Sequence, residues 1–162
     1  MEDLKHDLSH RLEADSVSRT LAVLGEKWTL LVLREAFFGV RRYGQLARNL
    51  GIPRPTLSAR LRTLVDAGLL ERVPYATEPD RHEYRLTRAG IDLFGPIVTL
   101  MRWGDAHLAG PDGPPIVLRH NDCGEIAEPY LACRGCGGEI DARSVTPERG
   151  AGFLEPATDR RR

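Results

Sequence analysis

The chain has 162 residues, 41% hydrophobic and 28% charged, with 23 basic and 23 acidic side chains and no formal net charge, which suits one medium domain or a domain with a small appendage. No apolar run approaches the ~20 residues of a membrane helix, and the charged opening MEDLKHDLSHRLEAD excludes a signal peptide, so a cytoplasmic protein without membrane contact is expected. Neutral net charge also means that any case for a polyanionic partner has to rest on local asymmetry.

Residues 1–16 show no apolar period and are expected to form an arm. From Ser18, Leu21, Ala22 and Leu24 lead to Gly25, and WTLLVLREAFFG then runs to Gly39; both read as buried helices. Leu46, Ala47 and Leu50 predict a short helix over Tyr43–Leu50, with Gly51 where it stops. Pro53 and Pro55 forbid that helix from continuing, but proline suits a first helical turn, so a second helix is predicted from near Pro55 to Ala67, with Gly68 as its stop. LLERVPY and HEYRLT, separated by ATEPDR with its turn residues Pro79 and Asp80, read as a β-hairpin.

Helical spacing returns in RAGIDLFGPIVTLMRWGDAHLAG at Ile91, Phe94, Val98, Met101 and Trp103, with a kink or restart at Gly95-Pro96. The predicted organisation is therefore an arm (1–16), a winged helix-turn-helix domain (17–109), a linker GPDGPP (110–115), a cysteine segment (116–154) and a disordered tail (155–162). The fold class is mainly α with a small β-hairpin wing, followed by a small zinc-ribbon-like segment.

In a helix-turn-helix the second helix enters the DNA major groove with its N-terminal residues nearest the base edges, while the first braces it. On a wheel at ~100° per residue, Leu57, Leu61, Leu64 and Val65 face inward, leaving Pro55, Ser58, Ala59, Arg62 and Asp66 outward with Arg54 and Thr56 flanking the first turn. Arginine forks suit guanine or phosphate, and hydroxyls and helix N-terminal N–H groups suit phosphate. Arg41, Arg42, Arg48, Arg54, Arg60 and Arg62 crowd this stretch, and no Asp or Glu lies between Glu35 and Asp66. A polyanion explains that gap; an ordinary solvated face is the plainer alternative. The residues expected on double-stranded DNA are Arg41, Arg42, Arg54, Pro55, Thr56, Ser58, Ala59, Arg60 and Arg62, with Arg81 of the wing reaching a minor groove. Glu78, Asp80 and Glu83 beside Arg81 weaken the wing assignment and leave open a protein-interaction module.

All three cysteines fall within fourteen residues. His120-x-x-Cys123-Gly and Cys133-x-x-Cys136-Gly repeat one design of two soft donors followed by a glycine. Four donors of Cys3His type match tetrahedral zinc, and a closed set predicts a structural rather than catalytic ion. Free thiols or a reversible Cys133–Cys136 disulfide are the alternatives, and either chemistry would allow a thiol- or zinc-responsive sensor. No phosphate-binding glycine loop, Gly-x-Ser-x-Gly elbow or His-Glu-x-x-His helix is present, and His6, His10, His82 and His107 are scattered; an enzyme is not expected.

From Leu24 to Leu108, LGEKWTLLVLREAFFGVRRYGQLARNLGI, LSARLRTLVDAGLLER, RHEYRLTRAG and RWGDAHL occur in an order and spacing that resembles the HxlR-type winged helix regulators of bacteria, relatives of the MarR group. The resemblance implies a homodimer joined through N- and C-terminal helices and bound to an inverted-repeat operator, with repression the expected mode. Some members sense oxidants through a cysteine in the N-terminal helices; this chain has none before Cys123, so that mode is excluded and a small-molecule effector is left open.

Overall fold

The computed structural model describes residues 15–76, 81–148 and 150. The first fourteen residues of the expected arm, the hairpin tip with Glu78 and Asp80, and the expected tail lie outside the described residues. The chain divides into two compact units, one holding the residues up to Thr87 and the other Arg88–Pro147.

In the first unit α1 spans Ser16–Leu24, α2 Lys27–Phe37, α3 Tyr43–Leu50 and α4 Arg54–Asp66, followed by β1 Leu70–Ala76 and β2 Arg81–Leu86. Helix α1 starts where the Asp15 carboxylate accepts the Ser18 N–H at 2.9 Å, an N-cap that satisfies one otherwise orphaned donor. It ends at Gly25, whose N–H reaches the Leu21 carbonyl at 2.7 Å; a Cβ there would stand 2.5 Å from that oxygen, so only glycine fits. Between α3 and α4 the chain reverses at Gly51, whose φ of 59° lies in the left-handed region that a side chain disfavours. Pro53 caps α4 and Pro55 sits in its first turn, so the helix begins one residue before Pro55.

One side of α4 is closed off: Leu57, Leu61 and Leu64 are buried together with Val32 and Leu33 of α2, Leu46 of α3, Ile52 of the turn and Leu70 of β1. Helix α4 packs against both α2 and β1. The hairpin is antiparallel, pairing Leu70 with Leu86, Arg72 with Tyr84 and Val73 with Glu83, with an irregularity between Pro74 and Ala76. A sheet of two strands can hold Pro74 because its missing donor costs no central ladder bond. The residues before α3 join the hairpin as well: Tyr84 N–H donates to the Arg41 carbonyl at 2.8 Å, and Arg42 bridges Glu83. The wing is thereby tied to the start of the helix-turn-helix.

Helix α1 departs from expectation. Only Leu24 of it is buried, while Val17 and Leu21, one turn apart, are 63% and 55% exposed. Its apolar pattern is real, but the described residues leave Val17 and Leu21 uncovered.

In the second unit α5 spans Arg88–Asp92 and α6 Phe94–Leu108. The helix restarts at the predicted place because Pro96 falls in the first turn of α6, where no donor is needed. Ile97 and Val98 are buried, whereas Leu100, Trp103 and Leu108 are exposed. After α6 the described residues form turns and two isolated bridges, Arg119 with Ile126 and Ala132 with Glu139. No helix among the described residues is long and apolar enough to cross a membrane.

Truncating Leu61, 1% exposed at the centre of α4, should lower unfolding stability by about 2–5 kcal/mol. Urea unfolding of Leu61→Ala followed by circular dichroism measures this; a loss well under 1 kcal/mol would mean the leucine face of α4 is not the core.

Candidate nucleic-acid interface

The leucines of α4 decide which residues face outward. With Leu57, Leu61 and Leu64 buried, Arg54, Pro55, Ser58 and Arg62 are exposed, Thr56 and Ala59 are half-buried, and Asp66 closes the exposed stripe. Arg60 differs from the others, being half-buried on the flank of the helix, and its Nε is buried without a hydrogen-bond partner among the described residues. No side chain caps the α4 N-terminus, so its first-turn N–H groups point the way an anion would approach.

Tyr43 holds this end of α4 in place, and sequence reasoning missed it. Its hydroxyl donates to the Arg54 carbonyl at 3.0 Å and lies 3.2 Å from Ser58 Oγ, linking the first residue of α3 to the exposed turn of α4. The signal available was an aromatic residue with a polar tip opening the bracing helix. Arg41 and Arg42 are exposed just before α3, and the Arg42 guanidinium lies 4.7 Å from the centre of the Tyr75 ring, a cation–π contact that orients it. Arg81 is exposed at the start of β2; the tip beside it is not described.

The acids matter as much as the bases. Glu35 is 6% exposed, and its two oxygens accept from Arg34 Nη2 at 2.8 Å and Asn49 Nδ2 at 2.7 Å. Glu83, counted above against the wing and toward a protein partner, is 8% exposed and accepts from Arg85 Nε at 2.6 Å. From Lys27 to Val65 the chain therefore shows no exposed carboxylate, a wider gap than sequence alone indicates. Neither burial could be read from composition: Glu35 takes a bond from Asn49, fourteen residues on, and Glu83 sits in a strand paired on one side with Val73 and on the other with Arg42.

In the second unit the cysteine segment forms its donor pairs locally. His120 Nδ1 and Cys123 Sγ are 3.3 Å apart, and the Cys136 side chain lies beside the Cys133 thiol, where it helps to stabilise the thiolate. Backbone N–H groups of Cys136 and Gly135, in that order of effect, hold the Cys133 thiol below its ordinary pKa by stabilising its anion. Among the described residues no three His, Cys, Asp or Glu side chains gather as a metal-holding group: the structure brings together His120 with Cys123 and Cys133 with Cys136, but not the four.

Comparison with known proteins places this geometry. The family model for the HxlR-like helix-turn-helix matches residues 23–111. An uncharacterised HTH-type transcriptional regulator of Mycobacterium tuberculosis is 69% identical over 147 residues, covering 91% of this chain and 93% of the relative, so the similarity extends well past residue 111. The crystal structure of PA1607, a candidate transcription factor, superposes with a TM-score of 0.77 at 33% identity, covering 88% of this chain and 99% of that one. The redox regulator HypR in its oxidised form gives a TM-score of 0.55 at 28% identity and covers 59% of this chain and 100% of its own.

Removing the amide that holds the buried Glu35 carboxylate should cost about 1–3 kcal/mol, the usual penalty for a charged group left short of a partner. Thermal and urea unfolding of Asn49→Ala measure it; an unchanged stability would show that Arg34 alone satisfies Glu35.

Proposed function

This chain belongs to the HxlR-like helix-turn-helix family, a transcriptional regulator with a helix-turn-helix DNA-binding fold, and we propose that it acts as a cytoplasmic homodimer that represses transcription from an inverted-repeat operator. The observation that carries the reading is the outer face of α4, which carries no acid before Asp66 at its end: Arg54, Pro55, Ser58 and Arg62 stand exposed because the leucines opposite them are buried. Arg54 and Arg62 read base edges or clamp phosphates, Thr56 and Ser58 donate to the backbone, and Pro55 and Ala59 give the helix a low profile against the groove. Arg41 and Arg42 contact flanking phosphates, and Arg81 follows the adjacent groove from the wing. Arg60, half-buried on the flank, is the weakest member of the expected set; its role is to hold phosphate from the side of the helix.

Two exposed apolar helix faces support the dimer. Val17 and Leu21 of α1, and Leu100 and Trp103 of α6, are each more than half exposed. Single exposed apolar residues are ordinary, but turn-spaced pairs on the first and last helices suit burial in a partner subunit. Two-fold symmetry then sets the half-sites about one DNA turn apart, or a multiple of it. Function rests on binding and not on catalysis, with an effector acting through the dimer.

Selection of bound sequences from a random duplex pool tests the proposal. An inverted repeat with half-sites one or two turns apart is expected; enrichment of no motif, or binding whose midpoint does not weaken between low and moderate salt, overturns it. On the selected site, Arg62→Ala should weaken binding by about 1–3 kcal/mol if it reads a base, with relaxed preference at one position. An unchanged midpoint for Arg54→Ala and Arg62→Ala combined would remove α4 from the groove. Sedimentation of Val17→Asp/Leu21→Asp should shift the protein toward monomer, and a persistent dimer would exclude the α1 face from the interface.

A further inference from the structure

Residues 118–127 and 131–140 are the same loop built twice, thirteen residues apart. Ala127 N–H reaches the Leu118 carbonyl at 2.7 Å, and Ile140 N–H reaches that of Leu131 at 2.8 Å. His120 N–H donates to the Glu125 carbonyl at 2.9 Å and Cys133 N–H to that of Gly138 at 2.8 Å. Gly124 N–H returns to the His120 carbonyl at 2.8 Å and Gly137 N–H to that of Cys133 at 2.7 Å. The two glycines share a left-handed backbone, with φ of 73° and 74°. Aligned on these bonds, LRHNDCGEIA and LACRGCGGEI keep only the opening leucine, a soft donor at the third position, cysteine at the sixth and glycine at the seventh. Shape and donors recur while the rest of the sequence does not.

Nothing apolar accounts for two ordered loops here. From 110 to 148 no described residue is buried, and Ile126, Tyr130 and Leu131 are each more than half exposed. Water-exposed hydrogen bonds contribute little net stability, so a segment of this size needs another crosslink, of which a metal is one. The donors are spaced for it. Zinc holds nitrogen at about 2.0–2.1 Å and thiolate at about 2.3 Å, so two neighbouring ligands of a tetrahedron lie ~3.5 Å apart; His120 Nδ1 and Cys123 Sγ stand at 3.3 Å. The first loop thus presents one side of a tetrahedron, and the second repeats its backbone bonds with cysteines at the same two positions. Residues 128–130 join them, and Arg102 Nη1 of α6 donates to the Pro129 carbonyl at 2.7 Å, anchoring the joint.

We propose that His120, Cys123, Cys133 and Cys136 bind one zinc ion per chain, the two loops closing about the anchored joint at 128–130 to bring their donor pairs onto it. Each thiol gives up its proton to solvent as its sulfur binds, and three thiolates favour zinc over calcium or magnesium. Four protein donors leave no position for a reacting water, so the ion is structural. This site is independent of how α4 meets DNA, and its test reads metal rather than operator binding.

Full-length protein purified under reducing conditions without chelator should carry about one zinc per chain by elemental analysis. Exchange with cobalt should give the intense visible bands of a tetrahedral site with thiolate-to-cobalt charge transfer. Cys133→Ser/Cys136→Ser should lose the metal, whereas His120→Cys should keep it and shift the cobalt spectrum toward four thiolates. Protein that holds no zinc and takes up no cobalt overturns the proposal. So does zinc retained by the double variant, half a zinc per chain, or a Cys133–Cys136 disulfide in place of metal.

Discussion

Burial of three leucines on one side of α4 is the constraint on which the rest of the first unit depends. A helix pinned through Leu57, Leu61 and Leu64, each at most 1% exposed, cannot rotate about its axis without lifting them into water. Each such side chain is worth about 1.5–3 kcal/mol of burial, so rotation is closed off and the opposite stripe is fixed facing out. The left-handed turn at Gly51 and the Tyr43 hydroxyl on the Arg54 carbonyl set where that stripe begins. The hydrogen bond from Tyr84 to Arg41 places the wing relative to it.

The electrostatic character of that surface comes from what is hidden. A chain with equal numbers of acids and bases shows a basic face where its acids lie elsewhere or are buried, and among the described residues Glu35 and Glu83 are the buried ones. Burying a carboxylate is costly unless its oxygens are satisfied. Glu35 has Arg34 and Asn49, and Glu83 has Arg85, so the positive charges nearest these acids are the ones already engaged. Arg41, Arg54 and Arg62 are left exposed. Since interactions beyond about 10 Å are screened at ordinary salt, this local excess is what a phosphate chain would meet, and the zero net charge is not.

The second unit is organised by different physics. Helix α6 buries Ile97 and Val98, but the residues after it have no core, and their order comes from two short loops whose bonds close on glycines of positive φ. The family match ends at residue 111, whereas the similarity to the M. tuberculosis regulator extends to 91% of the chain. The cysteine segment is therefore an addition to the helix-turn-helix that is shared with relatives, and its stability does not derive from the same leucines.

The amino-acid sequence by itself determined the local features. Gly51, Pro53 and Pro55 bounded the helices, the leucine period assigned the inner side of α4, Gly95-Pro96 marked the restart of α6, and the spacing of His120, Cys123, Cys133 and Cys136 marked the repeated loop. These are legible because their causes lie within four or five residues along the chain. The burial of Glu35 and Glu83, the brace from Tyr43, the flanking position of Arg60 and the exposure of α1 were decided only by tertiary structure. Each depends on which distant side chain arrives to accept, donate or exclude water. Periodicity states that a helix has an apolar side, but not what supplies its cover: the leucines of α4 are buried within the chain, whereas among the described residues Val17 and Leu21 stay exposed.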